Sequence, residues 1–155
     1  MPLLGPNEQH GYPPSHQWFA QWEAKGDKVM RYFVEPVHLT VNYAHSPGYD
    51  PAQVYLMGKS GGGWTTTVSA ALDPRIRASF PIAGSIPLSF HHKSWDFEQK
   101  PQPDTPGWYL TGCNYTCLYV LAGLEGDRYS LQMLHEDDPC CYYGRGRHPQ
   151  ILQYN

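Results

Sequence analysis

The spacing of apolar residues changes along the chain, and each change marks a predicted element. From Asp27 onwards apolar residues recur every three or four positions, at Val29, Phe33, Val37, Val41 and Ala44. This period predicts a helix over residues 27–45 with one buried face. Asp27 is its expected N-cap. Pro36 lies inside the run and is expected to kink or break the helix, and a turn at 46–51 ends it.

Short apolar runs bounded by turn-forming residues predict three buried strands, at 53–57, 78–83 and 129–134. Pro81 is unfavourable inside the second of them. Two further helices are predicted, at 64–72, closed by Asp73 and Pro74, and at 114–123. This alternation is typical of a parallel sheet covered by helices, so the sequence predicts one α/β domain.

The remaining segments are polar or rich in glycine and proline. Residues 1–16 and 139–155 are expected to be mainly loop, and a short helix is expected around Trp18, Phe19 and Trp22. The polar stretch 84–107 is predicted to be a loop or a lid-like insertion.

Composition excludes several classes of protein. Hydrophobic residues make up 41% of the 155 residues and aromatic residues 14%, which is enough apolar surface to exclude a disordered chain. Fifteen glycines and fifteen prolines exclude a coiled coil or a plain helical bundle. The net charge of −3 gives no attraction to nucleic acid. No run approaches the roughly 18 apolar residues of a membrane span, and residues 1–6 do not resemble a signal peptide.

The cysteines suggest no metal site. Cys113, Cys117, Cys140 and Cys141 are too few to hold a chain of this length as a disulfide scaffold. Together with His135 and His148 they match no zinc-binding spacing. Free thiols are the expected state, and neither a metal nor another cofactor is predicted.

The strongest motif is Gly58-Lys59-Ser60-Gly61-Gly62, which fits the nucleophile elbow G-x-S-x-G. A serine that attacks an acyl group must stand on a sharp turn between a strand and a helix, and glycines at 58 and 62 leave room for that turn. The N–H of Gly61, at the start of the following helix, would point to the developing oxyanion. The predicted strand before the motif and helix after it provide the context that the motif requires.

Two other interpretations of the motif compete with the elbow. The glycines at 61–63 are also compatible with a plain flexible turn. A phosphate-binding loop is excluded by spacing, because Gln53 stands where that motif needs its first glycine.

Three segments, 54–64, 72–76 and 80–85, resemble the α/β-hydrolase superfamily around its nucleophile, especially esterase-like and prolyl-oligopeptidase-like serine hydrolases. The resemblance implies a three-layer sandwich with a mostly parallel sheet, and Ser60 as the nucleophile. It implies a small-molecule ester or a peptide as substrate, and no cofactor. A family core of about eight strand–helix units needs about 240 residues, so a partial domain of three to four strands is expected. An open sheet edge would then favour pairing with a partner.

The family order of serine, acid and histidine directs attention to residues after Ser60. Asp138 follows the third predicted strand and is the first choice for the acid, with Asp137 second and Asp127 a weaker candidate. A solvated acidic turn is an equally open interpretation of these residues.

His148 is the predicted catalytic base. His148 is the only histidine after Asp138, and the ten residues between them leave no room for the helix and strand that normally separate acid and base. His135, His91 and His92 do not match the family position. A truncated, non-catalytic relative that acts as an interaction module is therefore the alternative hypothesis.

Overall fold

The computed structural model describes Trp22 and residues 25–50, 54–87, 113–124, 126–136 and 138. Their helices and strands are α1 (Val29–Ala44), β1 (Tyr55–Lys59), α2 (Gly61–Leu72), β2 (Ala78–Ile82), α3 (Tyr115–Gly123) and β3 (Tyr129–Ser130). The predicted order of elements is confirmed. The short helix expected around Trp18 and Phe19, most of the insertion expected at 84–107, and the expected loop at 139–155 lie outside the described residues.

The three strands form one parallel sheet in the order β1-β2-β3. Tyr55, Ala78 and Tyr129 share one row across the sheet. A later row joins Lys59, Ile82 and Met133, because an isolated bridge pairs the last two. The α/β class and the parallel sheet are therefore confirmed.

Pro81 explains why β3 is shorter than the predicted strand 129–134. The N–H groups of Leu131 and Met133 donate to the carbonyls of Ser79 and Pro81, both at 2.9 Å, and the Ala83 N–H donates back to Met133 at 2.8 Å. Between these bonds the next donor in sequence would be Pro81, which has no N–H. The pairing therefore continues to Met133 but lacks one bond at Leu131.

All three described helices pack on the same face of the sheet. α2 lies between α1 and α3, and it buries residues on both sides, among them Trp64, Val68 and Ala70. The Trp64 indole donates to the Tyr115 hydroxyl at 2.9 Å, which satisfies the indole N–H inside this layer. The described residues thus form one helical layer on the sheet, and the three-layer sandwich stays a prediction.

The opposite face of the sheet carries exposed apolar side chains on its two outer strands, whereas Ala78 on β2 between them is buried. Tyr55 and Met57 on β1, and Tyr129 and Leu131 beyond β2, are each more than half exposed. The prediction of a buried strand at 53–57 is therefore wrong in both position and burial. β1 lies at one end of the described sheet and alternates between exposed and half-buried residues.

The buried face predicted for the first helix is confirmed. Its predicted N-cap and the predicted break at Pro36 are wrong. Val29 and Val41 are buried as predicted. The N-cap is Lys28 rather than Asp27, and the Asp27 carboxylate instead accepts the Lys28 N–H at 2.8 Å. Pro36 lies inside an unbroken helix. Packing of the apolar face against α2 offsets the one hydrogen bond that Pro36 cannot donate.

A disulfide joins Cys113 to Cys117, with 5.3 Å between their Cα atoms, so the expectation of free thiols is wrong for this pair. The bond joins the residue before the N-cap to the first turn of α3. There the Asn114 carboxamide accepts the Cys117 N–H at 3.0 Å and caps the helix. The four-residue separation does not by itself indicate this disulfide, because Cys113 lies before the N-cap and outside the helix. Cys140 and Cys141 lie outside the described residues.

Arg128 ties the ends of two helices together, which the sequence pattern did not indicate. Its guanidinium donates to the carbonyls of Ala70 and Asp73 at the end of α2, to Leu121 in α3, and to Ile76 at 3.0 Å. A cation at this place satisfies carbonyls that a helix leaves without partners at its C-terminus.

We expect Arg128→Met to lower the free energy of unfolding by about 2–3 kcal/mol, because several partly buried carbonyls lose a charged donor. Arg77→Met is the matched control. Arg77 pairs at 2.8 Å with Asp127, whose side chain is 80% exposed, so solvent screens the pair and its loss should cost much less than the loss of Arg128. Urea unfolding of both variants measures the difference, and equal losses would contradict the role assigned to Arg128.

Asp73 ends α2 within a second polar cluster. Its carboxylate accepts hydrogen bonds from Arg75, at 2.6 Å and 2.8 Å, and lies 3.1 Å from His38 Nδ1. The Arg75 side chain is the main cause that lowers the pKa of Asp73 to about 2, against an ordinary value of 3.8.

This lowered pKa predicts a pH dependence of stability. A carboxyl that is more acidic in the folded state stabilises the protein above its unfolded pKa, near 4, and this contribution disappears as the pH falls towards 2. We expect a loss of about 2 kcal/mol over that window. Asp73→Asn should be less stable at neutral pH and should flatten the dependence. Urea titrations between pH 2 and 6 test this, and parallel curves for the variant and the wild type would contradict it.

Candidate functional site

Ser60 is the single residue between the end of β1 and the start of α2. Its backbone has φ 54° and ψ −123°, a positive-φ conformation that residues other than glycine rarely adopt. Its N–H donates to the Ile82 carbonyl at 2.9 Å, and its carbonyl accepts the Trp64 N–H at 2.9 Å. The residue is exposed and makes no side-chain capping bond to the helix. The strand–turn–helix context predicted for the motif is therefore present.

Gly58 makes this sharp turn sterically feasible. A Cβ atom at Gly58 would lie 2.3 Å from the Gly62 carbonyl oxygen and 2.8 Å from the Thr66 hydroxyl. The predicted need for glycine is confirmed at this position. At Gly62 it is wrong, because a Cβ atom there would meet nothing within 4 Å. The backbone of Gly62 passes close to residue 58, and the absence of a side chain at Gly58 leaves space for it.

Two glycines that sequence reasoning did not single out hold the start of α2 against the end of β2. A Cβ atom at Gly84 would lie 2.2 Å from the Gly63 carbonyl carbon, and one at Gly63 would lie 2.6 Å from the Ile82 carbonyl oxygen. In the sequence, the only sign of this close approach is that the glycine run continues to a third glycine at 63. The backbone-to-backbone contact fixes the position of the start of α2 relative to the end of β2.

Gly61 is the first residue of α2. The first helical hydrogen bond runs from Trp64 to Ser60, so the N–H of Gly61 has no acceptor within the helix. The positive end of the helix dipole adds to its potential for binding an anion. An oxyanion at this N–H stays a prediction.

Asp138 lies beyond the same edge of the sheet as Ser60. Lys59 and Met133 belong to the same row, and Ser60 directly follows the first while Asp138 follows the second by five residues. The carboxyl ends of parallel strands meet at one edge. Asp138 is 7% exposed, so the interpretation as a solvated turn is wrong for this residue.

The other acid candidates differ in position. Asp127 precedes β3, at the opposite edge of the sheet, and pairs with Arg77. Its place in the sheet removes it as a partner of Ser60. Asp137 lies outside the described residues.

Of the described histidines, only His135 lies on the Ser60 edge, and it is exposed. His38 contacts Asp73 at the far end of α2, about 20 Å along the helix from Ser60. His45 follows the end of α1, at that same far edge, and its Nδ1–H donates to the Val41 carbonyl at 2.9 Å. His148, His91 and His92 lie outside the described residues, so the base stays a prediction.

Within the described part of the chain, no three His, Cys, Asp or Glu side chains come close enough to share a metal ion. No helix in that same part is both long and apolar enough to cross a membrane.

The chain matches no protein-family model, no curated protein and no solved structure. A functional assignment therefore depends on the local geometry around Ser60.

Proposed function

We propose that this chain is a serine hydrolase of the α/β-hydrolase type that cleaves carboxylic esters, with peptides as the second substrate class. Ser60 is the nucleophile, the Gly61 N–H stabilises the oxyanion, Asp138 is the acid, and His148 is the base. The substrate is a small-molecule ester or a peptide, and no cofactor is needed for the proposed chemistry.

The observation that carries the proposal is the backbone of Ser60. A serine at φ 54° costs about 1–3 kcal/mol of strain, and such strain is concentrated at functional sites. A plain flexible turn at this place would favour glycine, which adopts the conformation without cost. The strained residue here carries an exposed hydroxyl, which is what a nucleophile requires.

The order of groups along the sheet edge supports the same proposal. Ser60 follows β1, and Asp138 follows the strand two positions away in the sheet, in the chain order of this family. The apolar outer face of the sheet supports a three-layer sandwich, because parallel sheets are normally covered on both faces.

The chemistry follows from these groups. The Ser60 oxygen would attack the ester carbonyl while His148 takes its proton, and the carbonyl electron pair would move onto the oxygen beside the Gly61 N–H. Collapse of this intermediate would release the alcohol, protonated by the histidine, and leave an acyl group on Ser60. Water activated by the same histidine would then release the acid. Asp138 would orient the imidazole and stabilise its charged form.

A fluorophosphonate probe tests the proposal. The wild-type protein should be labelled on the peptide that contains Ser60, and Ser60→Ala should not be labelled. Ser46→Ala, at the opposite edge of the sheet, is the control and should be labelled like the wild type. No labelling of the wild type, or equal labelling of Ser60→Ala, would refute the proposal.

The alternative function is that of a non-catalytic interaction module. The exposed apolar side chains of Tyr55, Met57, Tyr129 and Leu131 on the outer strands favour it, because exposed apolar surface of this kind marks binding sites. Ester turnover that depends on Ser60 would refute this alternative.

A further inference from the structure

The segment Ile82–Ser85, called here the linking segment, contacts the elements that carry both candidate catalytic groups. Its first carbonyl accepts the Ser60 N–H at 2.9 Å. Its second residue, Ala83, has φ 45° and donates its N–H at 2.8 Å to Met133, on the strand that leads to the candidate acid. A strained residue other than glycine persists only where its surroundings hold it firmly.

A buried polar cluster fixes the end of the linking segment. Ser85 is fully buried. Its hydroxyl accepts a hydrogen bond from the Tyr119 hydroxyl of α3 at 3.0 Å, and its carbonyl accepts one from Gln132 Nε2 at 2.6 Å. Burial raises the pKa of Tyr119 to about 12, so the phenol stays a neutral donor throughout the neutral range. Satisfied buried networks of this kind favour one arrangement.

The Gln132 side chain adds a bond beyond the backbone pairing of the two segments. The Ala83 N–H donates to the Met133 carbonyl, and Gln132 Nε2 donates to the carbonyl of Ser85, two residues after Ala83. The side chain therefore extends the connection between the linking segment and the segment that leads to Asp138.

We propose that Ser85, Tyr119 and Gln132 are positioning residues of the hydrolase: they hold the strand leading to Asp138 at a fixed place relative to Ser60. This inference rests on the proposed function. None of the three needs to touch substrate. They act through the linking segment, whose other end bonds to Ser60.

Tyr119→Phe tests the role of the network. The variant removes one hydroxyl and keeps the ring, which stacks on Tyr115 at 6.2 Å between centroids. With p-nitrophenyl acetate we expect kcat to fall about tenfold and KM to change less than about twofold, because small displacements of a catalytic group mainly slow the chemical step. A less firmly held carboxylate raises the pKa of the base less, so the acidic limb of the kcat/KM profile should move to lower pH.

Tyr49→Phe is the matched control. It removes the exposed hydrogen bond of 2.9 Å from Tyr49 to Tyr43 and should leave kcat, KM and the pH profile unchanged. Gln132→Met is the second variant, since it keeps the side-chain length, removes the donor and should lower kcat in the same way. The double variant of Tyr119 and Gln132 should lose less than the product of the single losses.

Folded Tyr119→Phe and Gln132→Met variants with wild-type kcat and pH profile would overturn the inference. If Tyr119→Phe does not fold, Gln132→Met decides. Failure of the proposed function itself is recognised separately, because the wild type would then not react with fluorophosphonate at Ser60, and the inference would fall with it.

Discussion

Replacing Ser60 by glycine should abolish ester turnover and at the same time stabilise the protein. The loss of turnover should be at least about 10³-fold, because no other group replaces the attacking oxygen. The stabilisation should be about 1 kcal/mol. Glycine adopts φ 54° without the strain that serine carries at this place, and its larger loss of chain entropy on folding offsets part of the gain.

Ser60→Ala separates the two effects. Alanine also lacks the hydroxyl, so turnover should fall equally, but it keeps a Cβ atom and hence the strain. Its free energy of unfolding should equal that of the wild type. Urea unfolding and p-nitrophenyl acetate turnover of both variants make the comparison. A glycine variant no more stable than the alanine variant would show that the Ser60 backbone stores no strain.

Gly84→Ala should cause the largest loss of stability of any single methyl addition considered for this site. The added Cβ would lie 2.2 Å from the Gly63 carbonyl carbon and 2.4 Å from the Trp64 nitrogen. Both are backbone atoms, so α2 must move away from the end of β2. We expect a loss of about 3 kcal/mol or more, at the upper end of the cost of overpacking.

Gly62→Ala is the matched control, because the same methyl group there meets nothing within 4 Å. It lies in the first turn of α2, where alanine is the better helix former, and should raise stability by up to about 1 kcal/mol. Thermal and urea unfolding measure both variants. Similar losses in the two would mean that α2 does not approach the sheet as closely as these distances indicate.

The sequence predicted the fold class well because the information is local. The apolar period of Val29–Val41, the short runs that became β2 and β3, and the turn around Ser60 each depend on neighbours within a few residues. The same locality led to errors in α1. Pro36 was expected to break the helix, but tertiary packing of its apolar face stabilises the helix through that position.

The candidate site could be predicted only in part. The G-x-S-x-G pattern directly indicated Ser60 and the close contact at Gly58. Gly63 and Gly84 are needed because two segments about 20 residues apart approach at backbone distance, and no pattern within either segment shows this. The same holds for Arg128 and for the buried polar cluster, which consists of Ser85, Tyr119 and Gln132. Both connect residues that are distant in sequence.

The sequence by itself determined the alternation of helices and strands and the place of one serine on the sharp turn between them, because hydrophobic period and glycine content act over a few neighbouring residues. The tertiary structure decided which groups share the Ser60 edge of the sheet. Asp138 lies buried at that edge, whereas Asp127 and His38 lie at the opposite edge. Hydrogen bonds from Tyr119 and Gln132 to Ser85 connect the segments at the Ser60 edge. Parallel register and helix packing set these relations, and both arise from contacts between segments.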